Sequence, residues 1–329
     1  MSSVEKTGSE QERRDRRTIP AAPTSFRDQA SAIADLDGDV PEIFKGYVSR
    51  VFTQTCLPYR DPMASNPNLR AWERRNGDML LAVEPARIVT PEGVVKYEMP
   101  FGKYPRLVLP WLTTQIVLQQ GNREADGSLP VEFSASLPKF MAELGQDWGG
   151  RKGKLVLEQL PRLFGARISV TETTKTAQGS GMRTSDFQIA KNYQLWWDNE
   201  GSLSAEGLWG NTVVFAPDFV SDLLETPITI DLRAIALMAK HGPIAMDILT
   251  WLNYRLPRAS TNPKAPVTWD QINNQFGAQY AQTRQFKAQF LSKLPAVTAV
   301  YRDARFDVEE NGLRLYKSAP MVQRKALGG

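Results

Sequence analysis

The hydrophobic positions of this chain follow the same order of elements twice. The first copy extends from residue 105 to about residue 215, and the second from about residue 228 to residue 316. In each copy the spacing predicts a long apolar helix, a short strand, a short helix, a second basic helix and then β-strands. Because that order is typical of a winged helix-turn-helix, the sequence predicts an α+β fold with two such domains in tandem.

The first copy begins with apolar residues at helical spacing from Pro105 to Leu118, and proline suits the first turn of a helix. Residues 131–133 are expected to form a short strand. A short helix over residues 137–144 should end at Gly145, because glycine favours the end of a helix. A second, basic helix is expected to follow it.

Two strands, over residues 166–173 and 186–197, are expected after that basic helix. The loop between them, residues 174–183, is rich in glycine and serine and carries Lys175 and Arg183. A basic loop between two strands is typical of a wing, so both side chains are candidates to contact DNA phosphates.

The second copy shows the pattern more clearly. Asp231 is expected to cap its first helix, and an apolar helix over residues 244–254 follows. Residues 267–269 predict a short strand, and Asp270 is expected to cap a short helix that ends at Gly277. The remaining elements are expected to be a helix over residues 282–294 and a hairpin of two strands, 297–301 and 312–316.

The segments before the first copy are less regular. Residues 1–40 are polar, with mixed charges and no apolar period, so they are expected to form a disordered tail. Residues 41–103 predict a short helix and a small β-element attached to the first copy. The domains are therefore expected at residues 41–225 and 226–329.

The helix over residues 282–294 carries the main candidate DNA contacts. Phe286, Phe290 and Leu294 lie on one face and would anchor it. Arginine, glutamine and lysine are the side chains that bind base edges and phosphates in the major groove. An ordinary amphipathic surface helix is the alternative, but the preceding short helix and turn favour DNA recognition. The candidate residues are Arg284, Gln285, Lys287, Gln289 and Lys293.

The corresponding helix of the first copy offers Arg151, Lys152, Lys154 and Arg162. The first three lie near its N-terminus, where free backbone N–H groups also favour phosphate. Glu158 and more acidic surroundings leave a role in dimerisation as an alternative to DNA contact.

Composition places the chain among compact, folded proteins, and its charge is unevenly distributed. Hydrophobic residues make up 42% of the chain and the formal net charge is +4. Residues 227–329 hold 14 Lys/Arg and 7 Asp/Glu, a net +7, whereas residues 1–226 hold 26 and 29, a net −3. The second copy should therefore attract a polyanion.

A single cysteine and the lack of an apolar run of roughly 18 residues predict a cytoplasmic protein without membrane spans.

Few residues are suited to catalysis. With one histidine, His241, and one cysteine, Cys56, the usual zinc sites cannot form, and no Gly-rich phosphate-binding fingerprint is present. We therefore expect no enzyme activity, no cofactor and no metal. A nuclease or primase would need a carboxylate cluster for magnesium. A protein that binds only other proteins is a further alternative.

Several segments carry a family resemblance. They read MPFGKYPRLVLPWL at residues 99–112, LPKFMAELG at 137–145 and LEQLPRLF at 157–164. Shorter matches occur at residues 208–209, 213–217, 219, 227–228, 231 and 245–252. These segments resemble the RepA family of plasmid replication initiators over most of residues 75–320.

The resemblance implies a bacterial protein that binds repeated double-stranded DNA sites at a plasmid origin. It also implies melting of adjacent A·T-rich DNA and recruitment of the host initiator ATPase and replicative helicase. Related initiators have two winged helices, form homodimers when free and repress their own gene, which contributes to plasmid copy control. A winged-helix transcriptional regulator or autorepressor is the main alternative, because it would share every feature of the residue pattern.

Overall fold

The structure is a computed structural model that describes residues 24–35, 39–90, 92–132, 137–147, 149–176, 178–195, 211–276, 280 and 282–323. Most of the expected tail, the strand end at residues 196–197, the segment 208–209 and Gly277 lie outside the described residues. The described part combines helices with β-strands, which agrees with the expected α+β class.

Ten α-helices occur in the described part. They are α1 (Thr24–Ala34), α2 (Arg50–Gln54), α3 (Lys103–Leu118), α4 (Leu137–Glu143), α5 (Gly150–Gly165), α6 (Pro217–Glu225), α7 (Leu232–Met238), α8 (Pro243–Arg255), α9 (Trp269–Phe276) and α10 (Thr283–Val300).

Fourteen strands occur in the described part. They are β1 (Lys45–Val48), β2 (Trp72–Asn76), β3 (Met79–Glu84), β4 (Ala86–Val89), β5 (Val95–Glu98), β6 (Leu129–Glu132), β7 (Arg167–Thr176), β8 (Gly179–Gln188), β9 (Ala190–Gln194), β10 (Thr212–Phe215), β11 (Ile228–Asp231), β12 (Val267–Thr268), β13 (Phe306–Val308) and β14 (Gly312–Leu315).

The strands form five small sheets in the described part. The largest has the order β2-β3-β7-β8, and β4 and β5 form a hairpin of their own. Strand β10 lies between β6 and β9, and β14 lies between β12 and β13. Strand β1 pairs with β11, so this last sheet joins the region before the first copy to the start of the second.

The two copies repeat the same order of elements but differ in their sheets. In the second copy, β14 pairs with both β12 and β13. In the first copy, β6 pairs with β10 instead, while β7 and β8 form a hairpin that joins β3. The additional strands β2 and β3 extend the sheet of the first copy, because β3 pairs with the edge of β7 that β8 does not occupy. The sheets of the two copies differ for this reason.

A matching hydrogen bond holds the helices of each copy. The indole N–H of Trp111 on α3 donates to Glu143 at the end of α4, at 3.0 Å. In the second copy Trp251 on α8 donates to Gln275 near the end of α9, at 2.9 Å. A tryptophan on the long helix therefore fixes the following short helix in both copies.

The structure corrects the expected tail. Residues 24–34 form helix α1, whereas the sequence predicts disorder through residue 40. Phe26 and Ala30 lie one helical turn apart and are both buried, because α1 packs against α7 and α10. Arg302 donates to the Ser31 hydroxyl at 2.9 Å and forms an ion pair with Asp35. These tertiary contacts stabilise a helix whose own apolar pattern is weak.

The expected wing loop of the first copy is also wrong. Residues 174–183 are predicted to be a loop, but β7 continues to Thr176 and β8 begins at Gly179. Threonines favour extended backbone, and the hydroxyls of Thr171 and Thr184 lie 3.1 Å apart across the strand pair. The two strands therefore extend over most of the segment that was expected to be a loop.

A third correction concerns the end of α10. The sequence predicts a strand over residues 297–301, but α10 continues to Val300. Ala296, Val297 and Val300 recur at helical spacing and are buried where α10 packs against α8. The hairpin of the second copy therefore consists of β13 and β14.

The long helices of the two copies meet at a buried ion pair. The Arg106 guanidinium donates to both carboxylate oxygens of Asp247, at 2.8 Å each. Its remaining N–H groups donate to the backbone carbonyls of Leu57, Pro58 and Gly102. The side chains of Arg106 and Asp247 are 6% and 8% exposed. All five guanidinium donors are thus satisfied, as a buried arginine requires.

Asp247→Asn should lower the free energy of unfolding by about 3–5 kcal/mol, because it leaves a buried guanidinium charge without its counter-charge. Urea unfolding followed by tryptophan fluorescence measures this change. Asp35→Asn is the matched control, since it breaks the exposed pair with Arg302, whose side chains are 62% and 49% exposed, and should cost less than about 1 kcal/mol. Equal losses in the two variants would contradict the assigned role of the buried pair.

Candidate nucleic-acid interface

Helix α10 presents a polar face to solvent. Arg284, Gln285 and Gln289 are exposed on that face. Phe286 and Phe290 lie on the opposite face and are completely buried. The helix is therefore fixed by its apolar side, with three hydrogen-bonding side chains free to face a partner.

An aromatic cluster explains why α10 is held in this position. The ring centroid of Phe290 lies 5.3 Å from that of Phe276, 5.7 Å from that of Trp269 and 6.3 Å from that of Trp251. All three contacts are edge-to-face, an arrangement that aromatic pairs favour. Because the rings come from α8, α9 and α10, the cluster fixes the angles among all three helices.

The N-terminus of α10 is joined to α9. The Thr283 hydroxyl donates to the Asp270 carboxylate at 2.8 Å. The sequence predicts Asp270 as the cap of α9, but α9 begins at Trp269 and the hydroxyl of Thr268 caps it by accepting a hydrogen bond from the Gln271 N–H at 3.2 Å. The Asp270 carboxylate instead holds the first residue of the next helix. Arg284 and Gln285 follow directly, so this end of α10 has a fixed place relative to α9.

Lys287 has a structural contact as well as a charge. Its ammonium group donates to the backbone carbonyl of Glu310 at 2.6 Å and lies 5.0 Å from the ring centroid of Trp269. Glu310 belongs to the turn between β13 and β14. The side chain therefore connects α10 to that turn, a role that the sequence did not indicate.

Lys293 lies on the other flank of α10. It is half-buried and faces His241 at the start of α8. Lys287 and Lys293 thus lie at the two margins of the exposed face, while Arg284, Gln285 and Gln289 lie within it.

The corresponding helix α5 exposes a basic N-terminus. Arg151, Lys152 and Lys154 are exposed, and the N-cap residue Gly149 provides no side chain to cap the helix. Lys103, which the sequence analysis missed, lies close to Lys152. Partial burial lowers the pKa of Lys103, and the charge of Lys152 lowers it further. This concentration of positive charge at a helix N-terminus is suited to a phosphate.

Arg162 points away from that cluster of charges. Its Nε donates to the Glu98 carboxylate at 2.8 Å, and its guanidinium lies 5.2 Å from the ring centroid of Phe101. Gln159 is buried and accepts a hydrogen bond from the backbone N–H of Phe101 at 2.9 Å. Both residues thus connect α5 to the segment that precedes α3.

The two candidates from the expected wing lie on the long hairpin. Lys175 belongs to β7 and is paired with Ser180. Arg183 is exposed on β8 and is paired with Glu172, whose carboxylate accepts a hydrogen bond from Arg50 at 3.0 Å.

No group of three or more His, Cys, Asp or Glu side chains in the described ranges could hold a metal ion. Within the same ranges, no helix is long and apolar enough to cross a membrane.

Comparison with known proteins identifies the family. The family model described as plasmid-encoded RepA protein matches residues 99–271, which is more than half of the chain. This chain belongs to the RepA family. The resemblance found in the sequence is thereby confirmed.

The RepA match includes α3, α5 and α8, together with the ion pair between Arg106 and Asp247. It ends within α9, so α10 and the hairpin of β13 and β14 follow it. Among curated proteins, none matches the RepA-family chain.

Two crystal structures of domains 2 and 3 of RctB are distantly similar to this RepA-family chain. The first, of selenomethionine derivatives, has 10% sequence identity and a TM-score of 0.44, and the match covers 79% of this chain and 89% of that chain. The second has 11% identity and a TM-score of 0.39, with 79% and 87% covered.

Lys287→Ala should lower the free energy of unfolding by about 1–2 kcal/mol, because it removes the hydrogen bond to Glu310 and the contact with Trp269. Arg284→Ala removes the same charge from the same helix but no described contact, so its change should stay within about 0.5 kcal/mol. Urea unfolding of the two variants side by side measures the difference. Identical unfolding curves would show that Lys287 does not hold the turn.

Proposed function

We propose that this RepA-family chain is a plasmid replication initiator that binds repeated double-stranded DNA sites at the origin. The observation that carries the proposal is the exposed face of α10, with Arg284, Gln285 and Gln289 free of structural contacts in the described residues. Arginine and glutamine make two-pronged hydrogen bonds to guanine and adenine in the major groove. We assign this face to base recognition.

The surrounding elements support a winged helix-turn-helix. Helix α8, strand β12, helices α9 and α10 and the hairpin of β13 and β14 follow one another in the order of such a domain. In this reading α10 enters the major groove, and the turn at residues 309–312 acts as the wing. Lys287 then has a second role, because it holds the wing at a fixed distance from α10.

The first copy supplies a second DNA contact in this proposal. The N-terminus of α5, with Arg151, Lys152 and Lys154, binds phosphates and fixes the position of the chain on the duplex. Once one copy has bound, the other is held at a high effective concentration near its own site. Helix-turn-helix units on successive turns lie about 10 base pairs apart, so each repeat should span roughly 20 base pairs.

The remaining steps follow from the family. The bound chain distorts adjacent A·T-rich DNA and recruits the host initiator ATPase and the replicative helicase in the bacterial cytoplasm. Homodimers form in the absence of origin DNA. None of these steps requires a covalent reaction, a cofactor or a metal on this chain, so we propose a binding protein and not an enzyme.

Footprinting of the purified chain on DNA that flanks its own gene, at two salt concentrations, tests the proposal. Protection of several repeats beside a distorted A·T-rich tract, weakening steeply with salt, is the expected result. Protection of a single promoter site would instead indicate a transcriptional regulator. An absence of protection at both salt concentrations would refute DNA binding.

The variant with Arg284→Ala, Gln285→Ala and Gln289→Ala should bind the repeats at least about tenfold more weakly, because each base contact contributes roughly 1–3 kcal/mol. Its binding to unrelated DNA should fall much less, since phosphate contacts remain. Arg27→Ala, which removes one exposed arginine from α1, is the control and should bind normally. Equal affinity of the triple variant and the wild type would show that α10 is not the recognition helix.

A further inference from the structure

A cavity of about 370 Å³ lies beside α10, on a different side from the face assigned to DNA. The start of α8, the segment after Leu57 and one flank of α10 form its walls. Its volume is within the range of small-molecule binding sites. Its lining includes Tyr59, Arg60, His241, Tyr280 and Lys293, together with the first residues of α8.

Positive charge dominates this cavity. Arg60 and Lys293 line it together with His241, and none of the lining residues is acidic. In the described part of the chain, neither Arg60 nor Lys293 forms an ion pair with a carboxylate. Two cations that converge on one concave surface without counter-charges create a potential that favours an anionic ligand.

The start of α8 adds a donor to the same wall. Gly242 is the N-cap residue, with a φ of 94°, and Pro243 follows as the first helical residue without an N–H group. The N–H of Ala245 donates to the Gly242 carbonyl at 3.2 Å, which leaves the Ile244 N–H as the first donor of the helix. The first N–H groups of a helix carry partial positive charge, so the Ile244 N–H reinforces the positive charge of the side chains.

The environment of His241 reflects this charge. Partial burial lowers the pKa of His241, and the charges of Lys293 and Lys240 lower it further. Phe26 of α1 packs against the imidazole in a T-shaped contact, with ring centroids 4.5 Å apart. The imidazole is therefore held in place beside Lys293 and Lys240, and its pKa responds to a change of charge in the cavity.

Aromatic and aliphatic surface forms the remainder of the wall. The Tyr59 ring is held by the Arg106 guanidinium, which lies 4.8 Å from its centroid. The Tyr280 ring lies 6.4 Å from that of Phe286 on α10. Flat rings next to cations are the combination that holds the base and the phosphate of a nucleotide.

We propose that this cavity binds a nucleotide. Its phosphate is held by Arg60, Lys293 and the Ile244 N–H at the start of α8, and its base packs against Tyr280 and Tyr59. The ligand is either a free mononucleotide or one nucleotide unit of a single DNA strand, since both present a phosphate beside a base. Duplex recognition by the exposed face of α10 is a separate activity.

Isothermal titration calorimetry of the full chain with ADP, AMP and adenosine tests the proposal, and a dT15 oligonucleotide tests the strand as the source. We expect ADP to bind more tightly than AMP and adenosine to bind weakest, if the nucleotide is free. Binding of the oligonucleotide alone would assign the site to a DNA strand. Absence of binding by all four probes would overturn the proposal.

Arg60→Ala should weaken binding of the preferred probe by about tenfold or more, because it removes one charged contact to phosphate. Arg60 is exposed and makes no described contact, so the variant should fold normally. Lys264→Ala, which removes an exposed lysine outside the cavity, is the matched control and should bind as the wild type does. Equal affinities for Arg60→Ala and the wild type would overturn the assignment of the site.

The single histidine provides an independent measurement. The NMR signal of its C2 proton should give a pKa below the ordinary value of about 6.5 in the free protein. That pKa should rise when the probe binds, because a nearby phosphate stabilises the charged imidazole. A probe that binds without changing the pKa of His241 would place its phosphate elsewhere and overturn the proposal.

These results are separable from the duplex-binding proposal. Arg60→Ala should lose the nucleotide but protect the origin repeats as the wild type does. Absence of footprinting by the wild type with intact nucleotide binding would refute duplex binding and leave the cavity proposal standing.

Discussion

The ion pair between Arg106 and Asp247 determines how the two copies are arranged. It joins α3 to α8 inside the protein, where an unpaired charge is far less stable than in water. Arg106 also holds the backbone around Pro58, so one guanidinium positions both long helices and the segment that leads to Arg60. The angle between the copies is therefore a property of the core and not of a flexible linker. Any surface that uses both copies depends on this pair.

The sequence predicted the elements that depend on local spacing. The apolar stripe of α10, Pro105 in the first turn of α3, Gly145 after α4 and the order of helices and strands in each copy are all local signals, and the structure contains them. The same ring contact occurs in both copies: Phe140 packs edge-to-face with Trp111 in the first, and Phe276 packs edge-to-face with Trp251 in the second. The sequence could not predict α1, because its stability comes from contacts such as the one with Arg302. The sequence could not predict the pairing of β7 with β3 either, because the two strands are far apart in the sequence.

In the candidate site, too, the sequence predicted the helix from local spacing but could not predict the tertiary contacts of its side chains. The composition of α10 identified a helix with suitable side chains, but only the structure distinguishes their directions. Arg284 and Gln289 point outward, Lys287 contacts a backbone carbonyl, and Lys293 lines a cavity with Arg60, which lies more than 200 residues earlier in the chain. Helical spacing predicts which residues share a face of the helix. It cannot predict which other parts of the protein contact the side chains at the edges of that face, such as Lys287 and Lys293.

The sheet of β1 and β11 has a consequence for synthesis of the chain. In the described part β1 pairs only with β11, and Gly46 lies opposite Ile230. Strand β1 is closely packed at this point, since a Cβ atom at Gly46 would lie 2.3 Å from the Leu232 side chain. The partner of β1 thus leaves the ribosome more than 180 residues after β1 itself. Until then, β1 exposes an unpaired edge that can associate with other chains. Translation rate and chaperones near the ribosome should therefore affect the yield of folded protein more than the modest size of each copy suggests.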